Sequence, residues 1–344
     1  MTSIRHGQSS STRHLSGSAL PNPITSKNAD NAEVVSRRKW TMTAASALAA
    51  SCLTNSHGLG FAGVQALEST MPDSSQNEAK PRFGLVTYLW GKDMDLATVI
   101  KACQHSGMRG VELRTEHKHA VEPNLTEAQR KTVAKQFQES GIELVGYGSN
   151  CEFHSAKPEE LRANIEQCKK YIQLMHDCGG SGVKVKPNGF VPSVPNEKTI
   201  EQIGKALNEV AAYGEGYGQQ IRLEVHGGKT SQLSVIRDIF KVADHKNATV
   251  CWNCNGEDLQ GPGLAANFAM VRNRFGETLH ARELDSKDYP YQDLMNMLMA
   301  SKYTGWVLLE ARTDPADKFA AMKQQQELFD VMLSNAMKQS AKPS

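Results

Sequence analysis

The stretch EAQRKTVAKQFQESGIELVGYG, residues 127–148, contains three signals of local structure in order. Its first part, Glu127–Ser140, is amphipathic and longer than a typical strand, which favours a helix. Gly141 follows at the position where a left-handed residue commonly ends a helix. The short apolar run Glu143–Gly148 then reads as a strand. The stretch therefore predicts a helix that turns through a glycine into a strand.

The same alternation extends in both directions from this stretch. The chain repeats it eight times in about 260 residues, which is the size of a closed (β/α)8 barrel. No G-x-G-x-x-G follows the first strand, which disfavours a dinucleotide-binding sheet. We therefore predict an α/β fold, a single-domain (β/α)8 TIM barrel over residues 82–338. The predicted strands are Phe83–Tyr88, Gly110–Arg114, Glu143–Gly148, Gly182–Lys186, Ile221–His226, Thr249–Asn253, Thr278–Arg282 and Trp306–Glu310.

The segment before the barrel has a different composition. Residues 1–35 are rich in Ser, Asn, Thr and Pro, which predicts disorder. The arginine pair Arg37-Arg38 precedes a short Ala-rich run that ends near Leu53, a pattern typical of a twin-arginine export signal. The run is too short for a permanent membrane anchor. We predict a disordered export segment over 1–66, cleaved after Ala66 or lipidated at Cys52, and a linker over 67–81. This predicts a periplasmic or other extracytoplasmic location.

Charge and cysteine content limit the function classes. Lys and Arg number 39 against 37 Asp and Glu, and no basic block stands out, so a nucleic-acid partner is disfavoured. The seven cysteines are irregularly spaced, and the single C-x-x-C of Cys251 and Cys254 lacks the second pair of a zinc site. The sequence leaves open whether the protein forms a homo-oligomer.

Polar residues recur at a spacing of two where the predicted strands end. Residues two apart share one face of a strand, and the active sites of such barrels lie at the carboxyl ends of the strands. A convergence of these charges would be costly without a functional purpose, although a structural salt-bridge network is the alternative. The pairs are Glu112 and Arg114, Lys184 and Lys186, Glu224 and His226, Cys251 and Asn253, His280 and Arg282, and Glu310 and Arg312.

Three of these residues carry donor atoms suited to a divalent metal ion. Glu224, His280 and Glu310 offer the oxygen and nitrogen ligands that Mn, Co, Zn or Mg accepts. Two carboxylates beside such an ion can also act as base and acid on either side of a sugar carbon. The pattern therefore indicates proton-transfer chemistry that needs no nucleotide cofactor.

These segments make the chain similar to the sugar phosphate isomerase/epimerase family, whose members have a xylose isomerase-like TIM barrel. The resemblance extends over residues 82–335, and each of its motifs is short. The matching segments are Gly110–Arg114 (GVELR), Gly182–Gly189 (GVKVKPNG), Leu223–Gly227 (LEVHG), Val250–Asn255 (VCWNCN), Leu279–Leu284 (LHAREL) and Gly305–Glu310 (GWVLLE).

The resemblance implies a metal site of four ligands, Glu224, Asn253, His280 and Glu310, with the two glutamates as the catalytic acid/base pair. Asn253 stands where the family has Asp, which removes one negative charge from the site. Gly256 stands where the family has a substrate-binding His. We expect a small-molecule carbohydrate to be held by His226, Lys184, Lys186, Arg282, Glu112 and Trp90.

The resulting prediction is a divalent-metal-dependent isomerase or epimerase that acts on a carbohydrate or keto-sugar. Two alternatives use the same site: a lyase that cleaves oxidised, 3-keto glycosides, and a non-catalytic carbohydrate-binding barrel. DNA-repair endonucleases share this barrel but use three zinc ions and more His and Asp ligands than this sequence offers.

Overall fold

The computed structural model describes residues 80–341, so the predicted export segment and most of the predicted linker lie outside the described residues. Eight parallel strands close into a barrel in the order β1 to β8, each paired with its neighbours in sequence and β8 with β1. This confirms the predicted (β/α)8 fold. The strands are β1 (Arg82–Val86), β2 (Gly110–Arg114), β3 (Glu143–Glu152), β4 (Gly182–Lys186), β5 (Gln220–Glu224), β6 (Ala248–Asn253), β7 (Phe275–Ala281) and β8 (Trp306–Leu309).

A helix follows each strand within the described residues. No helix there is long and apolar enough to cross a membrane. The helices are α1 (Leu96–Ser106), α2 (Glu127–Ser140), α3 (Pro158–Cys178), α4 (Asn196–Glu215), α5 (Leu233–Val242), α6 (Leu264–Val271), α7 (Tyr291–Ala300) and α8 (Lys318–Ser340), and single 3-10 turns lie at Gly256–Leu259 and Arg272–Arg274.

Left-handed glycines end the first three helices, which includes the helix end predicted at Gly141. The φ angle is 85° at Gly107, 71° at Gly141 and 85° at Gly179. Residues with a side chain rarely adopt this conformation, so these glycines end each helix and lead the chain into the next strand. Because all eight strands are parallel, their carboxyl ends lie together at one mouth of the barrel.

A buried arginine fills the barrel interior below that mouth. Arg222 lies on β5 two residues before Glu224 and has no exposed surface. Its guanidinium donates to the Val145 carbonyl at 2.9 Å and lies 2.9 Å from the Glu277 carboxylate. A Cβ at Gly182 would come within 2.7 Å of the Arg222 Cζ, so glycine on β4 leaves the space that the guanidinium occupies. The layer below the mouth is therefore closed and internally neutralised.

Candidate active site

Six polar residues from five strands and the residue after β8 converge at the mouth. All are buried, and Glu310, the most exposed of them, keeps only 4% of its surface. Charged groups held this far from water require partners, so their contacts define the site. The six are Glu112, Lys184, Glu224, Asn253, His280 and Glu310.

Three of these residues face one another closely enough to share an ion. One ligand atom each from Glu224, His280 and Glu310 lies within 4.8 Å of the others. The Nδ1 atom of His280 lies 3.6 Å from Glu224 Oε1 and 3.9 Å from Glu310 Oε2. Asn253 joins the group because its Nδ2 donates to Glu224 Oε1 at 2.9 Å. The four residues that the resemblance implied as ligands therefore meet around one point.

The other side of the His280 ring contacts a second carboxylate. His280 Nε2 lies 3.2 Å from Glu112 Oε1, and neither residue has exposed surface. Neither ring nitrogen has a hydrogen bond of good geometry within the described residues. Metal-binding histidines commonly contact a carboxylate through the nitrogen that does not bind the metal. Glu112, predicted to bind substrate, lies behind His280 with no surface towards the mouth.

The charges around His280 also affect its protonation. Burial on its own would lower the pKa of His280, but its contacts with Cys251 and Glu112 raise that pKa well above the usual value. The pKa of His226 shifts the other way, because burial of its imidazole lowers that pKa and outweighs the opposing effect of Glu224.

Lys184 forms a buried ion pair with one of the two central glutamates. Its Nζ lies 2.8 Å from Glu224 Oε2, and the two side chains are 0% and 2% exposed. Burial would raise the pKa of Glu224, but Lys184 and His280 outweigh it and hold the pKa well below its usual range. Lys184, predicted to bind substrate, lies against the carboxylate as its counter-ion.

Arg114 belongs to the predicted set of polar residues at the strand ends, but it was not among the residues expected to bind metal or substrate. Its NH1 lies 3.2 Å from Glu310 Oε1 on the mouth side of β2. The guanidinium carbon also lies 5.0 Å from the centre of the Tyr88 ring. The available signal was its position two residues after Glu112 on the same strand. Each central glutamate thus has its own cation, Lys184 for Glu224 and Arg114 for Glu310.

The remaining predicted substrate-binding residues are more dispersed. Lys186 is 13% exposed and lies 3.3 Å from Glu152 Oε1. The Arg282 side chain has a buried Nε without a hydrogen-bond partner in the described structure. Trp90 is buried and donates from Nε1 to the Thr313 carbonyl at 2.9 Å, so its indole is fixed in the loop structure around the mouth.

The family comparison agrees with this geometry. The family described as xylose isomerase-like TIM barrel matches residues 100–256 of this chain. No curated protein sequence matches the chain.

Solved structures with the same fold include several sugar epimerases. An L-ribulose 3-epimerase is 14% identical with a TM-score of 0.66, covering 76% of this chain and 100% of its own. The 3-keto-D-glucoside 4-epimerase YcjR from E. coli is 14% identical with a TM-score of 0.62, covering 73% and 100%. The D-psicose 3-epimerase from Clostridium cellulolyticum H10 is 15% identical with a TM-score of 0.59, covering 75% and 98%. At these identities the likeness establishes the fold.

Proposed function

We propose that this protein is a sugar isomerase or epimerase that moves a proton at a carbon beside a carbonyl group, with Glu224 and Glu310 as the acid/base pair. The observation that carries the proposal is the meeting of Glu224, His280 and Glu310 within 4.8 Å at the barrel mouth. Several structures with the same fold are sugar epimerases, which agrees with this class of reaction.

The residues fit a divalent metal ion. The buried His280 Nδ1 faces two carboxylate oxygens and has no hydrogen-bond partner in the described structure, and a cation would satisfy it. The oxygen and nitrogen donors suit Mn, Co, Zn or Mg. Glu224, His280 and Glu310 would hold the ion, and Asn253 would join them once its amide oxygen turns towards it. When bound, the ion would polarise the carbonyl oxygen of the substrate.

The protein side chains transfer the protons and hold the reacting groups in position. Glu224 is kept deprotonated by Lys184 and takes the proton from the substrate carbon. Glu310 lies on the other side of His280 Nδ1 and delivers a proton that it takes from solvent to the product, and Glu224 then releases its proton to solvent. Arg114 and Lys184 each hold one of these carboxylates in place, and Glu112 fixes the His280 ring.

Deuterium exchange tests the proposal directly. The full-length protein, purified without chelators, is analysed for bound metals and incubated in deuterated water with a panel of ketoses and 3-keto sugars. We expect deuterium to enter at one sugar carbon, and we expect this to stop in Glu224→Gln and Glu310→Gln.

Glu139→Gln, on the exposed surface of α2, is the matched control and should retain full exchange. A protein that holds no metal and still binds sugar in Glu224→Gln would be a non-catalytic carbohydrate-binding barrel. Release of a free leaving group from a 3-keto glycoside would instead identify the lyase.

A further inference from the structure

Two cations at the mouth lie on either side of one neutral oxygen. Arg114 NH2 and Lys186 Nζ are each 3.4 Å from Asn150 Oδ1. The three residues belong to the neighbouring strands β2, β4 and β3. Both contacts lie at the long limit of hydrogen bonding, where an amide oxygen interacts weakly with a cation. An anionic oxygen in that position would bind both cations much more strongly.

Neither cation is fully satisfied by its other partners. Lys186 lies 3.3 Å from Glu152 Oε1, and that carboxylate also accepts a hydrogen bond from Asn188. Arg114 shares Glu310 at 3.2 Å, while its buried Nε has no partner within the described residues. A buried donor without a partner is costly, so an acceptor is expected to approach it.

The charge of the mouth favours the same kind of ligand. Three permanent cations, Arg114, Lys184 and Lys186, lie at the mouth. They accompany four carboxylates, those of Glu112, Glu152, Glu224 and Glu310. A divalent ion would change this set from one net negative charge to one net positive charge. A neutral sugar would leave that excess unbalanced, whereas an anionic sugar would neutralise it. This step rests on the proposed function.

We propose that Arg114 and Lys186 form a subsite for the anionic group of the sugar substrate, with one oxygen of the anion taking the place of Asn150 Oδ1. Because Arg114 also contacts Glu310, the anion lies close to the carbon that exchanges its proton. A carboxylate or a phosphate has the required chemistry, and the planar guanidinium pairs with either.

Calorimetric binding of three matched sugars tests this subsite. D-Fructose is neutral, D-fructuronate carries a carboxylate and D-fructose 6-phosphate carries a phosphate. We expect an anionic sugar to bind the full-length, metal-loaded protein about tenfold or more tightly than D-fructose. The carboxylate and phosphate arms show which anion the subsite accepts.

Two variants test whether the preference for an anionic sugar arises at the proposed subsite. Lys186→Met removes one cation, and Asn150→Asp places a fixed carboxylate between the two cations. Each should reduce the affinity for the anionic sugar about tenfold or more and change that for D-fructose by less than about twofold. Lys186→Arg should preserve most of the preference. Lys135→Met, an exposed lysine of α2, is the matched control and should change neither affinity.

The subsite is rejected if neither anionic sugar binds more tightly than D-fructose, or if the preference survives in both Lys186→Met and Asn150→Asp. Binding needs no turnover, so this result is separable from the deuterium-exchange test. A protein that shows the anion preference without exchange refutes the proposed function alone, and one that exchanges protons without the preference refutes the subsite alone.

Discussion

Replacing Lys184 by Met should destabilise the metal-free protein strongly because it leaves the Glu224 carboxylate buried without its main counter-ion. The pair is separated by 2.8 Å, and both side chains are almost fully buried. At an effective dielectric constant of about 20, that distance corresponds to a gross attraction of about 6 kcal/mol. Removing one partner of a buried pair typically costs about 3–5 kcal/mol. Glu224 retains the Asn253 amide at 2.9 Å, so we expect a loss near the lower end, about 3 kcal/mol.

Urea unfolding of the metal-free variants measures this loss as a change in the free energy of unfolding. The double variant Lys184→Met/Glu224→Gln should recover much of it, because the orphaned charge is then absent. Lys135→Met, which breaks an exposed pair with Glu139, should stay within about 0.5 kcal/mol of the parent protein. A divalent cation should stabilise Lys184→Met more than the parent, since it replaces the missing positive charge.

A cost below about 1 kcal/mol for Lys184→Met in the metal-free protein would show that Lys184 is not the main counter-ion of Glu224. This role is equally refuted if the double variant is no more stable than the single one, because the cost would then come from lost packing. The Glu224 pKa adds an independent check. A depressed pKa contributes stability that is present above the unfolded value and is lost as the pH falls through the folded value. In Lys184→Met, this acid-dependent loss should begin at a higher pH.

Three further predictions concern other features of the chain. Asn253→Asp adds a carboxylate to the proposed ligands and should raise the affinity for Mn²⁺ about tenfold or more in chelator competition; an unchanged affinity would place Asn253 outside the metal site. Asp258 is buried, and burial raises its pKa to about 7. Its contribution to stability therefore falls as the pH rises from about 4 to 7, by up to about 4 kcal/mol. Asp258→Asn should flatten that slope in urea titrations, and an unaltered slope would contradict this assignment. Arg37→Lys with Arg38→Lys should abolish export, as measured by cell fractionation; normal export of the double variant would remove the twin-arginine interpretation.

The fold was predictable because its signals are local and repeated. The left-handed glycines, Gly107, Gly141 and Gly179, mark helix ends without any long-range information. Strand ends were less accurate: β5 ends at Glu224 and not at His226, and β8 ends one residue before Glu310. At the carboxyl ends of the strands the chain stops pairing with its neighbours and continues into the loops at the mouth. The alternation of hydrophobic residues in the sequence does not show at which residue this pairing stops.

The convergence of the site was also predictable, but the partners within it were not. Parallel strands bring their carboxyl ends to one mouth, which placed Glu224, His280 and Glu310 together. Which cation contacts which carboxylate depends on side-chain direction across strands, and sequence spacing carries no such information. Lys184 lies against Glu224 and Glu112 lies against His280, and the sequence did not predict these pairings. For the same reason Arg114 was named among the polar strand ends but was given no role at the site.

The contacts of Lys184 also give a physical meaning to the Asn at position 253. An Asp there would place a third carboxylate beside Glu224 and Glu310, and the ligands would repel one another strongly whenever the ion was absent. Asn253 instead donates a hydrogen bond to Glu224, and Lys184 neutralises the same carboxylate from the other side. The metal-free site is therefore held together by its own hydrogen bonds and ion pairs, and a cation must compete with Lys184 for Glu224. We expect weaker and more readily reversible metal binding than an Asp-containing site would provide, combined with a mouth whose positive charge selects for an anionic sugar.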